Sequence, residues 1–461
     1  MSSDTVKPNA FVHGPLGVIY AKTALPIIFV MSMNGLQAVI DAVFLGVFVG
    51  PEALGAVTLM FPFFMIIIAL ATLVGSGMSS ILSRRLGAGS FDEARSVFAG
   101  AHGLAVVVSG CLIVLFLVLG GPVTRLAADG SPVLEHLGYV YLRILVLSSP
   151  VFFVMAVNVD ALRIEGRTGF MAAMSLLVSL ANIGFTYVLI VVMGLGVAGS
   201  AFGTALAQAL ALAIIVVFRV RGRTPLRPGS LLHHSPLTGW KRILALGAPQ
   251  SLNFMGIALV SASIIAALQL SGSGNYQATV SAYGIITRIM TFVFLPLLGL
   301  SQALQAIVGN NYGAEAWTRS NTSLRLGLAI AFVYCIAAEG ALVLFAEPIG
   351  FAFVDDRLVV GEVVRILPVM TAMYFLSGPL VMIAIYFQSI GDAGRAAVLG
   401  LAKPYAFVIP MIFLLPLAFG EVGIWMATPV AEVLLFGLTT VVLVATARSR
   451  NLRWGLFVTE A

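Results

Sequence analysis

The chain has 461 residues, of which 60% are apolar and 10% charged, with a net charge of +6. Soluble domains carry about a quarter charged residues, so this chain cannot coat a water-facing globule, which excludes an ordinary soluble enzyme or nucleic-acid-binding domain. Cys111 and Cys335 both lie inside apolar runs and define neither a disulfide framework nor a metal site. The composition is that of a polytopic membrane protein.

A helix crosses a bilayer with about 20 mostly apolar residues. About twelve stretches qualify, near 20–47, 53–80, 97–119, 137–162, 168–193, 196–218, 242–270, 278–307, 324–345, 362–388, 396–418 and 422–446. The expected fold class is therefore all-α, with no cleavable leader: the first twenty residues hold no compact apolar core followed by a small-residue cleavage site.

Basic residues set the orientation. With both termini cytoplasmic, that side holds about twenty of the 25 Lys and Arg, including Lys22, Arg84, Arg85, Arg95, Arg163, Arg167, Arg219, Arg319, Arg325, Arg395, Lys403 and Arg448. The outer side keeps Arg125, Arg143, Arg357 and Arg365.

The two halves repeat. Cys111 and Cys335, Arg95-Ser96 and Arg319-Ser320, Gly199 and Gly423, and Thr204 and Thr428 are each separated by 224 residues, Pro26 and Pro249 by 223, and Arg143-Ile144-Leu145 and Arg365-Ile366-Leu367 by 222. Six spans per half is even, so both halves enter the membrane in the same direction, as a parallel repeat about an axis along the membrane normal. The expected domains are an N-terminal six-helix bundle over 1–218, a cytoplasmic linker over 219–241 and a C-terminal six-helix bundle over 242–461. The linker's His233-His234 pair reads as plain loop, because two adjacent histidines lack further ligands.

Asn34, Gln37 and Asp41 follow i, i+3, i+7 spacing and share one face of the first span. Asp41 lies 19 residues past Lys22, ~29 Å along a helix, in the outer half of that span. A polar stripe there reads as a cavity wall; the plainer reading is an interfacial acid. Asn182 with Thr186, and Thr204 with Gln208, lie one turn apart on the fifth and sixth spans at similar depth. Each is an interhelical hydrogen bond or a ligand. In the second half Arg288 and Glu432 sit ~15 Å inside their spans and are expected to pair, since an unpaired buried charge is penalised.

Several segments are similar to one family. Gly75-Ser76-Gly77 with Ser83-Arg84-Arg85-Leu86-Gly87-Ala88-Gly89, Pro296–Gln302 with Gly309–Ala314, Leu344–Pro348 with Asp355-Asp356, and Gly194–Gln208 resemble multidrug and toxic compound extrusion (MATE) transporters. The resemblance covers about residues 20–446. It implies a secondary active exporter of lipophilic, often cationic organic compounds, working as a monomer in the bacterial inner membrane by alternating access. It further implies an N-lobe cation-coupling pocket to which Asp41, Asn182 and Thr204 correspond. The acid the family pattern places four residues after the Asn is here Thr186. One remaining carboxylate favours H+ over Na+, because sodium prefers several oxygens with compensating charge; no other cofactor is expected. A flippase for lipid-linked glycans and a passive channel stay open as alternatives. The chain has no GxxxxGK[ST], HExxH or GxSxG motif to support an enzyme.

Overall fold

A computed structural model describes residues 9–128, 131–222, 224–271, 276–450 and 452–458. Both termini, and with them the expectation of their location, lie outside the described residues. All named elements are helices. The first half holds α1 (Leu16–Phe44), which continues into a π-helical turn at Leu45–Val49, then α2 (Pro51–Gly87), α3 (Phe91–Ala127), α4 (Pro132–Leu147) and α5 (Ser149–Ile164). It continues with α6 (Thr168–Tyr187), a second π-helical turn at Val188–Val192, α7 (Gly196–Val220) and the short α8 (Ser230–His233). The second half holds α9 (Trp240–Ser271), α10 (Tyr276–Gly313), α11 (Trp317–Leu344), α12 (Ala346–Phe353), α13 (Arg357–Thr371) and α14 (Tyr374–Ser389). Then come α15 (Ala393–Leu401), a π-helical stretch at Ala402–Val408, α16 (Ile409–Leu414), α17 (Pro416–Phe419) and α18 (Glu421–Arg450).

Among the described residues, ten helical stretches are long and apolar enough to span a membrane, or twelve when each of two bent pairs counts as one span. The repeat is visible in the element boundaries. α2, α4, α5 and α7 begin at 51, 132, 149 and 196, and α10, α13, α14 and α18 begin 225 residues later, at 276, 357, 374 and 421.

The expected spans near 137–162 and 362–388 are each formed by a bent pair of helices. α4 and α5 meet at 50°, and α13 and α14 at 45°. At the first break Ser148 ends one helix and begins the next, with Pro150, which has no N–H to give, in the new first turn. At the second, Ala372 leaves the helical region and Met373 takes φ +69°. The break exposes the start of α14, and Glu339 on α11 answers it by accepting the Phe375 backbone N–H at 2.9 Å.

The chain divides into two compact units, Met1–Ser251 and Leu252–Ala461, so the division falls inside α9. The bounds at 218 and 242, drawn from composition, mark where the charge-rich stretch begins and ends. Within the first unit that stretch is tightly held. Arg219 is buried against the Glu165 carboxylate at 3.2 Å and donates to the Leu226 carbonyl at 3.0 Å. Its guanidinium stands 5.0 Å from the Phe98 ring centre. The start of α9 packs on α2, where a methyl group on Gly77 would stand 2.0 Å from the Ile243 carbonyl oxygen. Near the same end Asp160 pairs with Arg163 at 2.7 Å. In the second unit, Trp425, Tyr283, Ile366 and Leu367 belong to a large buried apolar cluster.

Candidate functional site

Helix packing in the first unit builds the site. Near its start α7 carries Gly199-Ser200-Ala201-Phe202-Gly203, the small-xxx-small spacing that lets membrane helices approach closely. A methyl group on Gly199 would stand 3.0 Å from Ile190 Cγ1, and one on Gly203 would stand 2.4 Å from Thr186 Oγ1. This approach carries Thr204 to Asn182 on α6. Asp41, in the last turn of α1, completes the group.

A carboxylate only accepts hydrogen bonds, which fixes how the Asn182 amide is turned. Its nitrogen donates to Asp41 Oδ1 at 3.0 Å, while its oxygen accepts from Thr204 Oγ1 at 3.0 Å and from the Thr204 backbone N–H at 3.2 Å. Asn182 is fully buried, and Asp41 and Thr204 are half-buried. Thr186 is also fully buried, and its hydroxyl has no hydrogen-bond partner among the described residues. One turn beyond Asp41, Leu45 and Ile190 of the two π-helical turns pack with Ala53 of α2 and Val197 of α7 in a buried apolar cluster. A cavity of about 20 Å³ is lined by Thr204 itself, Gln208 and Ser148 at the α4–α5 break, room for about one water.

The structure thus brings Asp41, Asn182, Thr204 and Thr186 to one place. Gln37 is half-buried and Asn34 is exposed; neither makes a side-chain hydrogen bond among the described residues. The group offers one carboxylate and several uncharged oxygens, a donor set for a proton or a monovalent cation.

The expected Arg288–Glu432 pair is not formed. Arg288 lies on the exposed face of α10, whereas Glu432 is buried and pairs with Lys403. Lys403 is accordingly no loop charge. It lies in the π-helical stretch between α15 and α16, ten residues past Ala393. Its position inside the apolar run 396–418 was the signal in the sequence that it needed a buried acid.

Ten to twelve candidate spans among the described residues, repeated at an offset of 225 residues and holding a polar group between α1, α6 and α7, are the architecture of a membrane transporter. The MatE family model matches residues 26–188 and again 252–414, once in each half. The chain belongs to the MatE family, the multidrug and toxic compound extrusion transporters. Similar relatives include the multidrug export protein MepA of Staphylococcus aureus, 23% identical over 434 residues, 92% of each chain. A FAD transporter of Shewanella oneidensis is 24% identical over 435 residues, 93% of this chain and 94% of its own. Among solved structures, the fold resembles an outward-facing multidrug resistance MATE family transporter of the MOP superfamily (TM-score 0.84, 24% identity, 94% of this chain and 96% of that one). It also resembles a MOP superfamily transporter from Pyrococcus furiosus (TM-score 0.84, 24% identity, 94% and 97%).

Proposed function

We propose that the chain is a secondary active exporter that moves lipophilic, often cationic organic compounds outward in exchange for inward-moving protons, with Asp41 as the coupling carboxylate. The observation that carries this reading is the Asp41–Asn182–Thr204 chain of hydrogen bonds within the first bundle. An intramembrane acid is costly to insert, and this one is held by an amide and a hydroxyl, with no basic partner recorded among the described residues. Without a fixed counter-charge, the carboxylate is free to exchange a proton for a cationic solute. Such exchange is what an antiporter needs at alternating access.

The relatives named multidrug export proteins support the cargo class, and the relative named a FAD transporter supports transport of organic solutes more broadly. Thr186 is the reason for choosing a proton over sodium: it supplies an oxygen but no second charge. The basic residues support an orientation with both termini cytoplasmic, the bacterial relatives support a location in the bacterial inner membrane, and the cavity chemistry calls for no nucleic acid and no cofactor besides the coupling ion. The chain works as a monomer in this reading, since the repeat supplies both bundles.

The test is transport of a fluorescent lipophilic cation by the purified protein in liposomes, with and without an imposed ion gradient. An antiporter accumulates the dye against its own gradient when an ion gradient is imposed. Equilibration alone, indifferent to any ion gradient, is the behaviour of a channel and would refute the proposal.

A further inference from the structure

The second bundle holds a charged cluster that the export reading does not use. We propose that Glu432, Ser377 and Tyr374 form a monovalent-cation site whose resident occupant is the chain's own Lys403 ammonium. Glu432 is 2% exposed and lies eleven residues into α18, while Lys403 lies ten residues past the start of α15. Both are therefore ~15 Å from the nearer helix ends. Glu432 Oε1 receives Lys403 Nζ and the Ser377 hydroxyl together, and Lys403 Nζ also reaches Ser377 Oγ at 3.3 Å.

Two buried oxygens of the proposed site are left over, one on Glu432 itself and one on Tyr374, which lies one turn before Ser377 on α14. Among the described residues Glu432 Oε2 has no hydrogen-bond partner, and neither has the hydroxyl of Tyr374, which is 7% exposed. Tyr374 and Ser377 are three residues apart in the first turn of α14 and share a helix face. A purely structural ion pair is stable only when its remaining lone pairs are satisfied, and buried polar atoms are rarely left without partners. This cluster instead offers a carboxylate and two hydroxyls, acceptors in excess of what one lysine uses. An anion entering here would face the carboxylate, so the fitting ligand is a cation: a bare monovalent ion, or the ammonium group of an organic solute.

Two further observations agree. Lys403 is the accessible member of the pair, with its side chain 31% exposed, and it sits on a π-helical stretch, a local loosening common at functional positions. The repeat also relates this cluster to the first bundle's site. Thr204 and Gln208 correspond to Thr428 and Glu432 at an offset of 224. The first pocket joins α1, α6 and α7 around Asp41, with no lysine or arginine paired to that acid among the described residues; the second joins α14, the π-helical stretch and α18 around Glu432, with a tethered cation. A tethered ammonium competes at high effective concentration, so external cations bind this site weakly until the lysine is removed or displaced.

The experiment uses the full chain in lipid nanodiscs, with Asp41→Asn throughout to silence the first bundle, so its outcome is independent of the coupling role given to Asp41. Equilibrium binding of radiolabelled sodium and of radiolabelled methylammonium is measured. Adding Lys403→Gln is expected to raise the affinity for at least one of them roughly tenfold or more, consistent with removing a tethered competitor, and adding Glu432→Gln abolishes the gain. A gain for sodium alone identifies a bare-ion site, and a gain that includes methylammonium identifies a site for organic ammonium groups. No gain for either cation, or a gain that survives Glu432→Gln, overturns the proposal. A second measurement leaves the lysine in place: acetylation of Lys403, read by mass spectrometry, rises as the binding cation is titrated against matched tetrabutylammonium. Acetylation equal in both salts contradicts displacement.

Discussion

Gly203 on α7 lies so close to Thr186 on α6 that a methyl group in its place would stand 2.4 Å from the Thr186 hydroxyl oxygen and 3.0 Å from its backbone nitrogen. That approach sets the spacing at which Thr204 meets Asn182. Gly203→Ala must push the helices apart, at a cost of about 1–3 kcal/mol for overpacking, and should lower both the melting temperature in detergent and the transport rate. Gly184→Ala on the same α6 meets nothing within 4 Å and should change neither. Equal behaviour of the two variants would show that the close contact does not position the site.

Asn182 is the bridge of the site, and Thr204 hangs from it. Asn182→Ala removes the one side-chain amide that reaches Asp41 among the described residues, and a hydrogen bond to a charged group is worth about 1.5–3 kcal/mol. Transport should fall by about tenfold or more. Thr204→Ala leaves the Asn182–Asp41 contact in place and should cost only a few-fold. Initial rates of dye export by the two variants at matched protein level check this order; a larger loss at Thr204 would mean that the bridge is assigned to the wrong residue.

The sequence shows the spans and the repeat plainly because apolar runs and a fixed offset are properties of the chain alone. Asp41, Asn182 and Thr204 were legible from depth and from the family pattern, and the structure places them in hydrogen-bond contact. The breaks at Ser148 and Ala372-Met373 were not, since a proline within an apolar run is tolerated in many membrane helices without a 50° bend. The partner of Glu432 was not legible either. Arg288 and Glu432 share a depth, but depth carries no azimuth: Arg288 points to the exposed face of α10 and Lys403 points to Glu432.

Orientation is open to labelling. Ser235, exposed between α8 and α9, and Asp355, exposed between α12 and α13, lie in segments assigned to opposite sides of the membrane. In a background with Cys111→Ala and Cys335→Ala, Asp355→Cys should react with an impermeant maleimide added to intact cells, and Ser235→Cys should react only after the membrane is opened. The reverse pattern would invert the assigned topology.

The Arg219–Glu165 pair is buried at both ends, each side chain 1% exposed. Arg219→Ala leaves the carboxylate of Glu165 without its partner, a loss of about 3–5 kcal/mol for a broken buried pair. The melting temperature should fall sharply, and Glu165→Gln added to Arg219→Met should recover part of it. No loss in Arg219→Ala would mean that the pair does not hold the 219–242 stretch to its bundle.

The coupling ion is decided by separating the two gradients. Thr186 supplies the site with an oxygen but no charge, and its unpartnered hydroxyl lies one turn from Asn182. Thr186→Asp therefore adds the second acid that sodium prefers and should shift driven export towards sodium dependence. In proteoliposomes loaded with a fluorescent cation, the unmodified protein should export the dye under an imposed proton gradient and not under an inward sodium gradient at equal pH. Asp41→Asn, inserted and folded to the same level, should export under neither. Full proton-driven export by Asp41→Asn, or robust sodium-driven export by the unmodified protein that persists when the proton gradient is collapsed, would contradict proton coupling through Asp41.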